Sequence, residues 1–200
     1  IPRRRPPSGS TKSCATTERP IANAKSRSSR RWPPPRADRR RCPRHMTGAL
    51  LSVHTGKVAP LGPEGVRSGF VKLARLDDVA VDPEGLDGDA QADLTVHGGP
   101  DKAVYGYATD HYPSWAAEHP EHAVRFIPGV MGENLAIAGM EEAGLCVGDV
   151  HAIGTALLQV CQPRQPCFKL GLQFDDPHMV RAMVQNLRSG WYYRVLQPGA

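Results

Sequence analysis

The residues able to do chemistry fall into three short motifs. The first is Cys161-Gln162-Pro163-Arg164-Gln165-Pro166-Cys167-Phe168-Lys169-Leu170. Two prolines hold such a segment extended, so it would present Cys167 in a fixed direction. Arg164 and Lys169 flank that cysteine, and cations beside a cysteine favour the thiolate, the form that attacks electrophiles or binds soft metals. Composition alone leaves open a buried, inert thiol. Cys146 and Cys161, the latter at the end of an apolar run, fit that description better than Cys167.

The second motif is His97-Gly98-Gly99-Pro100-Asp101-Lys102. Paired glycines let a backbone approach a ligand closely, a following helix start offers free N–H groups, and Lys102 adds positive charge, which together make a phosphate cradle. A Gly-Gly-Pro sequence is also an ordinary turn, and a lone histidine is more often hydrogen-bonded than ligating. The third is Gly129-Val130-Met131-Gly132-Glu133-Asn134-Leu135. A carboxylate beside an amide can orient a polar ligand or a proton, or can satisfy the backbone of the turn itself.

The elements that must position these motifs are short and interrupted by Gly, Asp and Pro, which favours a β-rich fold. Candidate strands are 49–53, 70–76, 79–81, 94–96, 146–153 and 156–161. Two segments read as helices. One is capped by Asp101 and runs over 103–119, kinked or split at Pro113. The other opens at Asp176-Pro177 and repeats Met179, Val180, Met183, Val184 and Leu187 before Gly190.

The charge is divided along the chain. The 200 residues carry 25 Lys+Arg against 20 Asp+Glu, a net +5. Residues 1 to 45 hold twelve Arg and two Lys against Glu18 and Asp38, so residues 46 to 200 are acidic, with eleven basic and eighteen acidic side chains. Rich in Pro and Ser and poor in apolar residues, segment 1–45 is expected to be a disordered basic tail. It reads as a nucleic-acid-binding arm, as an Arg-rich transit peptide, or as a stretch outside the working protein. The last is favoured by the composition break at Met46, and no nucleic-acid partner is expected.

No apolar run approaches the roughly 18 residues of a membrane span, so a cytoplasmic protein without a membrane partner is the expectation. The three cysteines after residue 46 lack CxxC spacing, which argues against a disulfide scaffold or a structural zinc site. GxSxG, HExxH, P-loop and GxGxxG motifs are absent, leaving the commonest hydrolase, zinc-protease, NTPase and Rossmann readings without support.

Taken in order, GLDGD (Gly85 to Asp89), HGGPDKAVYGY (His97 to Tyr107), GENL (Gly132 to Leu135), GD (Gly148-Asp149) and QPRQPCFKL (Gln162 to Leu170) resemble the stand-alone bacterial MOSC-domain proteins. The family takes its name from the C-terminal domain of molybdenum cofactor sulfurases, and the resemblance runs from about Leu50 to the end. It implies a β-rich α+β fold, a MOSC-type β-barrel with two or more flanking helices spanning residues 46–200. It also implies a bound molybdenum cofactor (molybdopterin), with Cys167 as the metal ligand.

By the same resemblance His97, Gly98, Gly99, Asp101, Lys102, Arg164 and Lys169 belong to the cofactor pocket, and Glu133 and Asn134 join Cys167 in catalysis. The reaction implied is reduction of N-hydroxylated small molecules, such as hydroxylaminopurines and amidoximes, to amines. Electrons would come from a separate donor protein, because three cysteines cannot hold a four-thiolate iron–sulfur cluster. No pyridoxal phosphate is expected. The alternative is a delivery module that carries sulfur or cofactor through a Cys167 persulfide. Relatives of this type continue beyond a segment like Gly190 to Leu196 into a further strand and small helices, so the resemblance implies a domain truncated at Ala200.

Overall fold

The computed structural model describes residues 47–200, and the expectations for segment 1–45 lie outside them. The strands are β1 (Ala49–Thr55), β2 (Ala59–Leu61), β3 (Val66–Ser68), β4 (Leu73–Ala74), β5 (Val81–Asp82), β6 (Gly85–Leu86), β7 (Val104–Ala108), β8 (Leu135–Ala138), β9 (Val150–Ile153), β10 (Ala156–Pro163) and β11 (Trp191–Gln197). The helices are α1 (Leu94–His97), α2 (Tyr112–Glu118), α3 (Phe168–Phe174) and α4 (His178–Asn186).

Seven strands form one curled sheet in the order β4-β1-β8-β7-β11-β10-β9, a half-barrel with helices against it. Neighbours are antiparallel except β7 and β8, which run parallel. The fold is therefore β-rich α+β with flanking helices, as the sequence leads one to expect.

β7 is the hub. Its residues are all buried and alternate between two cores: Val104 and Ala108 pack inside the curl with Ile137, Leu158 and Trp191, while Tyr105 and Tyr107 face Trp115, Leu170, Met179 and Met183 on the helix side. A strand buried on both faces reads as a continuous apolar run, so its sequence carries no period that tells it from the helix expected over 103–119. The helix begins only at Tyr112, after a 3-10 turn over Thr109–His111. Pro113 consequently lies in a first turn, where proline is tolerated, and produces no kink.

Three further expectations are corrected. Segment 94–96 is the helical turn α1, because Asp93 accepts the Thr95 N–H at 3.0 Å and caps it; Asp101 caps no helix and sits in a 3-10 turn over Pro100–Lys102. Within 70–76 only Leu73–Ala74 pairs as a strand. Helix α3, unforeseen in the sequence, starts directly after Cys167 and sends Lys169, Leu170 and Phe174 inward.

Candidate functional site

The cleft is built where the outer face of β7 meets the loop after β10. Arg164 follows the last residue of β10, anchored by its N–H to the Gly190 carbonyl at 3.0 Å. Its guanidinium lies over Tyr105 at 4.8 Å and over Phe70 at 5.3 Å from the ring centroids, a stacked arrangement that arginine favours. Its hydrogen bonds reach Tyr105 Oη at 3.4 Å and Met183 Sδ at 3.5 Å. Arg164 is 6% exposed, yet among the described residues it has no carboxylate within ion-pairing distance, and neither has Lys169.

Cys167 caps the start of α3 from an extended backbone and is half-buried on the same cleft. It and Cys161 are free thiols, whereas Cys146 is not. His97, at the end of α1, closes another side. Burial and the nearby charges of Lys169, Lys102 and Arg164 hold its imidazole below the usual histidine range, so it remains neutral at pH 7. Lys102 donates through Nζ to the Val96 carbonyl and so ties the glycine loop to α1.

The wall opposite carries a pair that the motif reading missed, Lys72 and Asp89, joined by an ion pair with side chains 7% and 2% exposed. Asp89 also accepts the Gly56 N–H at 2.9 Å and Asn134 Nδ2 at 3.0 Å. Desolvation pulls Lys72 below the ordinary lysine range, against the opposing influence of Asp89. Tyr105 and Tyr192 contribute aromatic surface, and burial keeps both phenols protonated.

Of the residues singled out in the sequence, His97, Lys102, Asn134, Arg164, Cys167 and Lys169 therefore line one cleft. Gly98, Gly99, Asp101 and Glu133 do not. Gly99 has φ of +96° and serves the turn; Gly98 lies against Leu94, where a Cβ would approach within 2.8 Å. Asp101 points the other way, pairing with Arg194 at 2.9 Å.

Glu133 is fully buried behind the cleft and accepts hydrogen bonds from Tyr112 Oη, the Gly129 N–H at 2.6 Å and the Met131 N–H at 3.0 Å. Burial raises its carboxyl above the usual range despite these donors. Asn134 is likewise committed, accepting the Tyr105 N–H at 3.0 Å and donating to Asp89 and to the His54 carbonyl at 3.1 Å. Its amide cross-links β1, β7 and the Asp89 loop.

Comparison places the chain and its curled sheet in a known class. The MOSC domain model matches residues 93–200, and the chain belongs to that family. It is 41% identical over 149 residues to Protein YiiM of Escherichia coli, an overlap of 74% of this chain and 66% of that protein. A protein named Reductase from Gibberella moniliformis is 37% identical over 155 residues, covering 76% of this chain and 27% of its own. The crystal structure of YiiM from Geobacillus stearothermophilus superposes with a TM-score of 0.61 at 34% identity, over 76% of this chain and 70% of that one. The chain thus spans just under two thirds of the Escherichia coli relative. Among the described residues no helix is long and apolar enough to cross a membrane.

Proposed function

We propose that the chain binds a molybdenum cofactor in the Arg164 cleft and reduces N-hydroxylated compounds, hydroxylaminopurines or amidoximes, to the corresponding amines. The observation that carries this reading is the convergence of a half-buried free thiol, Cys167, with two cations, Arg164 and Lys169, that have no carboxylate partner among the described residues. A buried guanidinium without a counter-ion is costly, so a cleft that keeps one is suited to an anionic ligand.

The residues fit the group. Arg164 and Lys169 would hold its phosphate, with His97 and Lys102 beside them, and Cys167 offers the soft sulfur that molybdenum prefers. When bound, the cofactor would supply two-electron redox chemistry, for a reaction that balances as R–NHOH plus two electrons and two protons giving R–NH2 and water. A separate donor protein provides the electrons.

The chain's own contribution is orientation and protonation. Phe70, Tyr105 and Tyr192 offer flat apolar surface to a planar substrate or pterin. Lys72 Nζ is the proton source: burial makes it a better acid than an exposed lysine, and Asp89 holds it in place. Asn134 acts through Asp89 as a positioning residue. The relative named Reductase supports an enzyme over a carrier.

The test is anaerobic incubation of the full chain with a hydroxylaminopurine and a low-potential reduced dye. Aminopurine should form, and Cys167→Ser should abolish it. Unchanged turnover in that variant, or no turnover together with a stable persulfide on Cys167, would overturn the proposal; the second outcome supports the delivery module.

A further inference from the structure

Outside the cleft, the 3-10 segment Pro120–Arg125 meets the α3–α4 corner and brings together His119, Glu121, His122 and Asp176. None of the four lines the cleft. The ligand atoms of His119, Glu121 and Asp176 all lie within 4.8 Å of one another. Two contacts link the set, His119 Nδ1 to Glu121 Oε1 at 3.5 Å and His122 Nε2 to Asp176 Oδ2 at 3.5 Å.

These distances are informative. They exceed the roughly 2.7–3.2 Å of a good N–H···O hydrogen bond. The His119–Glu121 separation agrees with the edge of a tetrahedron of donors around a zinc-sized ion, about 3.4 Å for bonds of about 2.1 Å. Among the described residues His122 Nε2 makes no hydrogen bond beyond its 3.5 Å approach to Asp176, which is costly for a buried polar nitrogen unless something else satisfies it.

The surroundings favour a cation. Two carboxylates and the His119 imidazole make a mixed nitrogen and oxygen set that suits zinc or a neighbouring transition metal. Asp176 accepts the His178 N–H at 2.8 Å, which fixes the orientation of its carboxylate. The nearest competing cation, Arg125, is committed to the Phe174 and Gln173 carbonyls. The rings are backed by aromatics, His119 by Trp115 at 5.5 Å and His122 by Phe174 at 5.4 Å, which limits their freedom.

The geometry points to a second, structural site for a divalent transition-metal cation, zinc in preference, held by His119, Glu121 and Asp176, with His122 beside Asp176 at its edge. The bound ion clamps the Pro120–Arg125 segment to the corner between α3 and α4. Because α3 begins at Cys167, the clamp bears on the helix that carries the thiol, yet it stands independently of what the cleft binds.

Cobalt(II) titrated into chelator-stripped full chain tests this, since its visible d–d bands report coordination and its near-ultraviolet charge-transfer band reports thiolate. The site predicts stoichiometric binding with d–d bands and no thiolate band, unaffected by Cys167→Ser. Glu121→Gln, at a side chain 56% exposed whose loss should not disturb folding, and His119→Gln should each weaken it by at least the roughly 10-fold that even supporting residues of metal sites contribute. Absence of cobalt binding, a thiolate band removed by Cys167→Ser, or equal affinity in Glu121→Gln and His119→Gln would overturn it.

Discussion

Lys72 and Asp89 form an ion pair in the wall of the cleft, with almost no side-chain exposure. Removing one partner of a buried pair leaves the other charge uncompensated, at a cost of about 3–5 kcal/mol. Asp89→Asn should therefore lower unfolding free energy by roughly that amount at pH 7, while the double variant Lys72→Met/Asp89→Asn should recover much of it. The pH dependence has a definite sign. Lys72 has its pKa depressed on folding, so the unfolded chain binds more protons in the window below the ordinary lysine value and stability rises with pH there. The deficit of Asp89→Asn should narrow from pH 7 to pH 9, measured by urea denaturation.

Arg164 is predicted to serve ligand binding at the expense of stability. Arg164→Leu should fold at least as stably as the wild type, because no carboxylate among the described residues loses its partner, and it should bind a phosphate monoester at least 10-fold more weakly, a change of about 1.4 kcal/mol. Thermal unfolding with and without the monoester checks both: the wild-type midpoint should rise with ligand, and the variant's should not.

Glu133 is predicted to act through the fold, since Tyr112 and two backbone N–H groups occupy its carboxylate. Its pKa is raised on folding, so the folded chain holds the proton more tightly and the associated stability is lost as pH rises from the ordinary carboxyl value through the folded one. The penalty of Glu133→Gln should accordingly be largest below the ordinary carboxyl value and shrink as pH rises toward 8 in denaturation midpoints.

Gly132 has φ of +81°, and a Cβ there would come within 3.2 Å of the Phe70 carbonyl oxygen. Gly132→Ala should cost about 1–3 kcal/mol, the usual range for a non-glycine residue forced into such a conformation. It should also perturb Phe70 and hence the stack under Arg164, readable as weaker phosphate binding.

The parts of the cleft legible in the sequence are those with local causes. The proline-held loop around Arg164 and Cys167 and the glycine turn after His97 advertise themselves by residue type alone. Lys72 could not be found that way, because the apolar alternation around it is inverted: Val71 and Leu73 are 45% and 73% exposed, while the lysine between them turns inward. Only the tertiary position of Asp89 explains the inversion, although Asp89 itself ends the GLDGD motif. Likewise, the helix-like reading of Val104–Ala108 failed because burial on both faces erases the period that tells strand from helix. Glu133 and Asn134 stood out as polar residues in a glycine-rich loop, but their hydrogen-bond partners come from segments distant in sequence, such as Tyr105, Tyr112 and Asp89.

The central claim is that Cys167, Arg164 and Lys169 hold a molybdenum cofactor in their cleft. Its most direct test is elemental analysis of full chain purified from a host that makes the cofactor, beside Cys167→Ser and Arg164→Leu prepared identically. Stoichiometric molybdenum in the wild type, with loss from both variants, is the predicted result. Wild-type protein free of molybdenum, or full molybdenum content in both variants, would contradict it.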